Sequence, residues 1–137
     1  MNYAIIKNNS GTILIITILI LTSILVVTLA AADLIVSGIQ MSRMQERSTK
    51  AYFAAEAGAE RVLWEARNNN FDSTPCSQGD YINFDTNPAT CDSSEHSYSL
   101  SNDALYRVIF KGSVPIVFSS DGIYLNTARS VEVSYTE

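Results

Sequence analysis

The chain has 137 residues, two cysteines and a formal net charge of −5. An apolar segment occupies much of its first third, so the rest has room for one modest soluble domain and not for a large catalytic core. Residues 68–137 carry nine acidic and three basic side chains, a balance of −6. This distal part should therefore repel nucleic acid rather than bind it.

A membrane segment is the first element that the sequence predicts. No charged residue lies between Lys7 and Asp33. Residues 12–32 are apolar apart from hydroxyl side chains, which can bond back to their own helix. As a helix this stretch is about 31 Å long, which matches the hydrocarbon thickness of a bilayer. We therefore predict a transmembrane helix over 12–32.

The flanking charges predict the orientation of this segment. Lys7 and the free amine precede it, whereas Asp33 follows it and the first basic residue beyond is Arg43. The positive-inside rule then puts the N-terminus in the cytoplasm and the distal part outside. Cleavage as a secretory signal peptide after Ala30-Ala31-Ala32 is an alternative, but the helical pattern continues past that point and the apolar run exceeds the usual length of about 7–15 residues. An uncleaved anchor is the simplest interpretation.

The helix is predicted to continue as an amphipathic segment to Asn68. No proline occurs before Pro75, and Asn68-Asn69-Asn70 is a run that ends helices. Apolar or small residues recur at spacings of three or four, which marks one face of a helix. These residues are Met41, Met44, Ser48, Ala51, Ala55, Gly58, Val62 and Ala66.

Small residues on this second half predict close helix packing, because they let another backbone approach. The residues that we assign to this packing are Ala51, Ala55, Gly58 and Val62. They face either a partner subunit or the chain's own head domain, and the second alternative is the simpler one. Leu63 and Trp64 beside them are predicted core residues.

Residues 71–97 form a polar, turn-rich region that contains Cys76 and Cys91. An even cysteine count on one side of the membrane segment suits an oxidising compartment. We predict a disulfide between the two cysteines, which would stabilise the fold by about 3 kcal/mol in the loop-entropy model. The bond would substitute for the apolar core that this loop lacks.

From Tyr98 onward, hydrophobicity alternates with a period of two, which predicts three or four antiparallel strands. Turns are predicted at Gly112-Ser113 and Asp121-Gly122. The predicted fold class is α+β: a long N-terminal helix, membrane-spanning in its first half and amphipathic in its second, packed on a small antiparallel β-sheet head.

Two metal patterns are present, and both are weak. His96 could join the two cysteines at a zinc ion, but C-x14-C lacks the close ligand pairs of structural zinc sites. Several side chains in the turn-rich region offer oxygen ligands for calcium without the spacing of an EF-hand. They are Asp80, Asn83, Asp85, Asn87 and Asp92. With no nucleophile elbow or phosphate loop either, we expect no metal, no cofactor and no enzymatic activity.

A glycine between a short leader and a membrane helix, with the helix continuing as a small-residue amphipathic segment, resembles the N-terminus of type IV pilins and pseudopilins. The likeness rests on SGTILI at 10–15 and AYFAAEAGAER at 51–61, which look most like minor pilins of the PilX kind. It covers 10–67 and, more weakly, 116–133.

The resemblance implies processing and a division of the chain. A prepilin peptidase would cut after Gly11 on the cytoplasmic face and methylate the new amine of Thr12. The leader would then be 1–11, the long helix 12–68 and the β-rich head 69–137. The implied partners are other pilins through the helix, membrane lipid and the prepilin peptidase.

Two positions depart from the major subunits of that family, which usually carry phenylalanine at the first mature position and glutamate at the fifth. Here these positions hold Thr12 and Ile16. In a filament the glutamate neutralises the buried amine of a neighbour, because an unpaired charge in an apolar core is costly. Its absence favours a minor subunit at the tip or in initiation over one in the repeating shaft.

Two functions are therefore compatible with the sequence. The first is a minor pilin or pseudopilin, a non-catalytic subunit of a type IV pilus or secretion pseudopilus that moves from the cytoplasmic membrane to the cell surface. The second is an independent single-pass surface protein whose head binds a ligand or adhesive target and never polymerises. A mature chain that begins at Thr12 would distinguish the first from the second, which begins at Met1.

Overall fold

A computed structural model describes residues 10–68 and 71–136. The predicted leader lies outside the described residues except for Ser10 and Gly11, and so do Asn69 and Asn70. One helix is followed by six strands: α1 (Ser10–Asn68), β1 (Tyr81–Asn83), β2 (Thr90–Asp92), β3 (Tyr98–Ser99), β4 (Leu105–Ser113), β5 (Ile116–Tyr124) and β6 (Thr127–Tyr135). The predicted α+β fold, a long N-terminal helix packed on a small antiparallel sheet, is confirmed.

The chain divides into two compact units, Met1–Ser42 and Arg43–Glu137. In the first unit the described residues are helical, and all of 11–42 are exposed. Hydroxyl side chains of the apolar segment donate to carbonyl oxygens three residues earlier in the helix, for example Thr17 to Leu14 at 2.9 Å and Ser23 to Ile20 at 2.7 Å. These bonds satisfy the hydroxyls without water, as the sequence predicts.

The second unit contains the sheet, whose strands run in the order β2-β1-β4-β5-β6, with β3 paired to β4. All the pairs are antiparallel. Alternate residues of β4 are buried, because a strand presents every second side chain to the same face. These are Tyr106, Val108 and Phe110, and they meet Ile116 and Phe118 of β5 in the core.

The second half of α1 packs on this buried face of the sheet. Ala51, Ala54, Ala55 and Val62 are fully buried. A Cβ added at Gly122 of β5 would lie closer than 3.0 Å to the backbone of Ala51 and Ala55. The helix backbone therefore rests directly on the sheet at Gly122.

This contact explains why the predicted turn at Asp121-Gly122 is wrong. Both residues lie inside β5, where Gly122 pairs with Tyr106 of β4 and Arg129 of β6. Glycine is needed here for the close approach of the helix and not for a change of chain direction. A glycine in a period-two pattern can mark either a turn or a close backbone contact, and the pattern alone does not distinguish the two.

The two hairpin turns fall elsewhere. The β4–β5 turn is formed by Val114 and Pro115, so Gly112 and Ser113 belong to β4, with an irregular register between Phe110 and Gly112. The β5–β6 turn is formed by Leu125 and Asn126, and Leu125 has a φ of 52°. Leucine is uncommon in this left-handed region, so sequence rules did not indicate the turn.

Two further expectations about the core need correction. Trp64 is not a core residue: it is 54 % exposed, since it lies on the side of α1 that turns away from the sheet. The turn-rich region does contribute to the core, through Ile82 on β1 and through Phe84 and Ala89. From Tyr98 onward the described residues form four strands, β3 to β6, in agreement with the predicted three or four. The two strands that the sequence did not indicate, β1 and β2, lie in the turn-rich region and are only three residues long.

Arg61 connects α1 to this same region. Its guanidinium lies 4.8 Å from the ring centre of Phe84 and 5.4 Å from that of Tyr98. It also donates to the Tyr106 hydroxyl at 3.2 Å. Stacking on aromatic faces together with hydrogen bonding is the behaviour that distinguishes arginine from lysine. A single helical side chain thus fixes three aromatic residues of the head.

Candidate functional site

The apolar part of α1 is the first candidate site, because its side chains have no covering protein. The helix Gly11–Asn68 contains an 18-residue window with a mean hydropathy of 3.0, and none of that window is buried. Ile16 is 52 % exposed, and the other large apolar side chains of this segment are exposed to a similar extent. By length and composition this helix can span a membrane.

Gly11 and Thr12, the predicted cleavage site, are helical, and both are exposed. A Cβ at Gly11 would meet nothing within 4 Å. The only charged residue among 10–42 is Asp33. Within that stretch no carboxylate is therefore close in sequence to an amine formed at Thr12.

The four residues assigned to helix packing lie on one face of α1. Ala51, Ala55, Gly58 and Val62 are all buried, and they are covered by the chain's own sheet. A Cβ at Gly58 would lie closer than 3.0 Å to the Ser120 hydroxyl oxygen and to the Tyr106 ring. These residues pack under the chain's own head.

Lys50 marks the start of this packed segment. Its ammonium lies 2.8 Å from a Glu46 carboxylate oxygen and 4.7 Å from the ring centre of Tyr124. The hydrogen bond from Lys50 lowers the pKa of Glu46, and the same bond raises the pKa of Lys50. Sequence analysis missed the Lys50–Tyr124 contact, because it joins residues far apart in the chain.

The predicted disulfide is present between Cys76 and Cys91, which are 15 residues apart. Both cysteines are partly buried against the core. The bond fastens β2 to the segment that follows α1 and so closes the loop that contains β1. Their sulfurs are bonded to each other and do not serve as thiolate ligands for a metal ion.

Three of the five residues considered for calcium, Asp80, Asn83 and Asp92, have side-chain oxygens with hydrogen-bond partners. An Asp80 carboxylate oxygen accepts from the Ser77 backbone at 2.7 Å, and the Asn83 side-chain oxygen accepts from the Asp85 backbone at 2.9 Å. Asp92 lies 2.8 Å from the His96 ring, and this hydrogen bond lowers the pKa of Asp92. Within 10–68 and 71–136, no three His, Cys, Asp or Glu side chains are grouped so that they could hold a metal ion.

We predict that removing the disulfide destabilises the head. The variant that carries both Cys76→Ser and Cys91→Ser should lose roughly 2–5 kcal/mol of unfolding free energy, since the unfolded chain regains the freedom of the closed loop. Denaturant titration of the full chain, followed by near-ultraviolet circular dichroism of the packed tyrosines, measures the change. Reductant is the control: it should lower the stability of the unmodified protein to that of the variant and leave the variant unchanged. Equal stability of the oxidised and reduced protein would contradict this prediction.

Comparisons with known proteins found no similarity: the chain matches no protein-family model, no curated protein and no solved structure. The described part of the chain thus has an α+β fold, one helix that is long and apolar enough to cross a membrane, and one disulfide in the head.

Proposed function

We propose that the chain is a minor pilin or pseudopilin, a non-catalytic subunit that is inserted into the cytoplasmic membrane and then transferred into a type IV pilus or secretion pseudopilus. One observation carries this proposal: the helix is apolar and exposed on every side over 11–32, and the same helix later packs on a compact disulfide-bonded head. A helix of this kind needs apolar surroundings, which a bilayer or the helices of other subunits supply.

The magnitude of the hydrophobic effect supports this reading of the exposed segment. Burying one Val, Leu or Ile side chain is worth about 1.5–3 kcal/mol. More than a dozen such residues are exposed between Ile13 and Leu29. The total free energy gained by burying these side chains is on the order of tens of kcal/mol. Exposure of the whole segment to water is therefore strongly unfavourable. Transfer from lipid to a filament core keeps these side chains covered throughout.

The ends of the segment support a prepilin-type topology. The charge pattern around 12–32 favours an N-terminus inside and a head outside, and the disulfide suits an oxidising exterior. Gly11 and Thr12 lie at the N-terminal end of the apolar segment, where the proposed peptidase would cut and methylate.

The mature N-terminus is the direct test of the proposal. In the native host we expect mass spectrometry of the purified protein to find a chain that begins with N-methylated Thr12. A chain that begins at Met1 would favour a single-pass surface protein that does not polymerise. A chain that begins at Asp33 would mean signal-peptide cleavage and would contradict both.

Ile16 leads us to propose a role at the tip or in initiation. Inside a shaft, a subunit would need a carboxylate near the amine of its neighbour, because an unpaired buried charge costs several kcal/mol. Ile16 cannot provide it, whereas a terminal subunit has no neighbour that requires it.

Ile16→Glu should therefore shift labelled copies from filament ends toward the shaft, because the variant supplies the missing carboxylate. Fluorescence or immunogold labelling of filaments measures the distribution. Ile18→Glu, a matched change in the same exposed segment, should leave the distribution unchanged. Even labelling of the shaft by the unmodified protein, at a copy number comparable to the major subunit, would contradict the tip assignment.

A further inference from the structure

The last strand of the sheet has a free edge. β6 is nine residues long and pairs with β5 along its whole length, and it pairs with no other described strand. The opposite edge of the sheet, β2, is only three residues long. In a strand that is paired on one side, every second residue directs its N–H and C=O groups outward. The outer side of β6 is thus a row of backbone donors and acceptors that pair with no described strand.

Three common devices that protect an edge strand, namely proline, lysine and a bulge, are missing from β6, and its charged side chains are Arg129, which bonds to Ser48 of α1, and the exposed Glu132. The strand, TARSVEVSY, contains no proline and no lysine, and its register with β5 is continuous without a bulge. Native proteins usually block long edges with such features, because an open edge pairs with other chains. The edge is therefore competent for strand addition.

The core is also incompletely covered at this edge. Val131, Val133 and Tyr135 pair with the buried residues Ser120, Phe118 and Ile116 of β5, so they point to the same face of the sheet. All three are only half-buried. Tyr135 lines two open cavities of about 230 and 570 Å³, one beside Pro115 and one beside Phe71. Alternate apolar side chains of an added strand would cover this surface.

The charge of the β6 edge and of the head distinguishes between two candidate binding partners for this edge, a second copy of the chain and a different protein. Two β6 strands paired antiparallel about Val131 would set the two Glu132 side chains diagonally, roughly 7–8 Å apart. Each head also carries the distal balance of −6. Glu132 is exposed and forms no ion pair with a described residue. This edge therefore repels a copy of itself and favours a strand with a basic residue opposite Glu132.

We propose that β6 binds an extended segment of another protein as an additional strand of the sheet. The segment has apolar residues at alternate positions, which cover Val131, Val133 and Tyr135, and a lysine or arginine opposite Glu132. Backbone hydrogen bonds supply the affinity and the alternate side chains the specificity. This interaction goes beyond the proposed filament role and does not depend on polymerisation.

A synthetic nine-residue peptide with alternating valine and threonine, and lysine at the position opposite Glu132, is the probe. It is added to the full chain in detergent micelles, and amide hydrogen exchange is followed residue by residue. We expect saturable protection of alternate amides of β6 and none at β2. N-methylation of the peptide residues whose N–H groups face β6 should weaken binding by about tenfold or more, and N-methylation of the other alternate residues should not.

Glu132→Lys tests the charge assignment. It should weaken binding of the lysine peptide by up to about fivefold, and a peptide with glutamate at that position should regain the affinity. Asp85→Lys, which makes the same change of net charge in an exposed loop, is the matched control and should have no effect. The proposal is overturned by any of three results: no protection of β6 at millimolar peptide, equal effects of the two N-methylation patterns, or equal effects of the two lysine variants. Protection of β6 by dimers of the chain itself, without peptide, would overturn the assigned occupant.

Discussion

Gly122→Ala is expected to destabilise the head by about 3 kcal/mol or more and to lower its Tm by on the order of 10 °C. The new methyl group would lie closer than 3.0 Å to backbone atoms of Ala51 and Ala55. The backbone of a helix cannot avoid a clash by changing rotamer, as a flexible side chain can, so α1 must move away from the sheet. That movement would loosen contacts along the whole packed face. Thermal unfolding of the full chain in detergent measures the loss.

Alanine substitutions at two other glycines are the controls, and both should destabilise the head less than Gly122→Ala. A Cβ at Gly112 meets nothing within 4 Å, so Gly112→Ala should change the unfolding free energy by less than about 0.5 kcal/mol. At Gly58 the obstacles are the Ser120 hydroxyl and the Tyr106 ring, which are side chains, and alanine also favours the helix. Gly58→Ala should therefore fall between the two. A Gly122→Ala protein as stable as Gly112→Ala would mean that the helix does not rest on the sheet at this point.

Gly11→Leu is expected to abolish shortening of the chain, if the proposed peptidase cut follows Gly11. The variant should keep residues 1–11 and stay in the membrane fraction instead of entering filaments. A folding defect is not expected to account for such a result, since a Cβ at Gly11 meets nothing within 4 Å and leucine is a better helix former than glycine. Intact-mass measurement of membrane and filament fractions reads out the effect.

Gly38→Leu is the matched control for this experiment. Gly38 lies in the same helix, is exposed, and likewise has open space around it. The Gly38→Leu chain should be shortened normally. Normal shortening of the Gly11→Leu protein would exclude the cut at Gly11, and with it the prepilin-type processing on which the proposed function depends.

The sequence predicted the long helix well, because it depends on local signals. Uninterrupted apolarity and the lack of proline act within a few residues of where they stand. The disulfide could be predicted equally well, since two cysteines allow a single pairing within the chain. The signals for these features do not depend on how the rest of the chain folds.

The errors concern residues whose role depends on contacts that are distant in sequence. Gly122 looked like a turn residue because nothing near it in the chain shows that a helix lies against it. Trp64 looked like a core residue because its size does not show which side of α1 faces the sheet. Leu125 turns the chain with a positive φ, against its residue preference. The free edge of β6 was likewise invisible, because strand order is a property of the assembled sheet.

The buried face of α1 has a mechanical consequence. Its alanines and glycine form low ridges, and low ridges set the rotation and axial position of a helix only weakly. Separate local contacts supply what the ridges do not: the helix backbone lies against Gly122, Arg61 stacks over Phe84 and Tyr98, and Lys50 lies over Tyr124. The position of the head on its helix is thus set at a few separate points. A pull along the helix axis would load those points in shear before the rest of the contact.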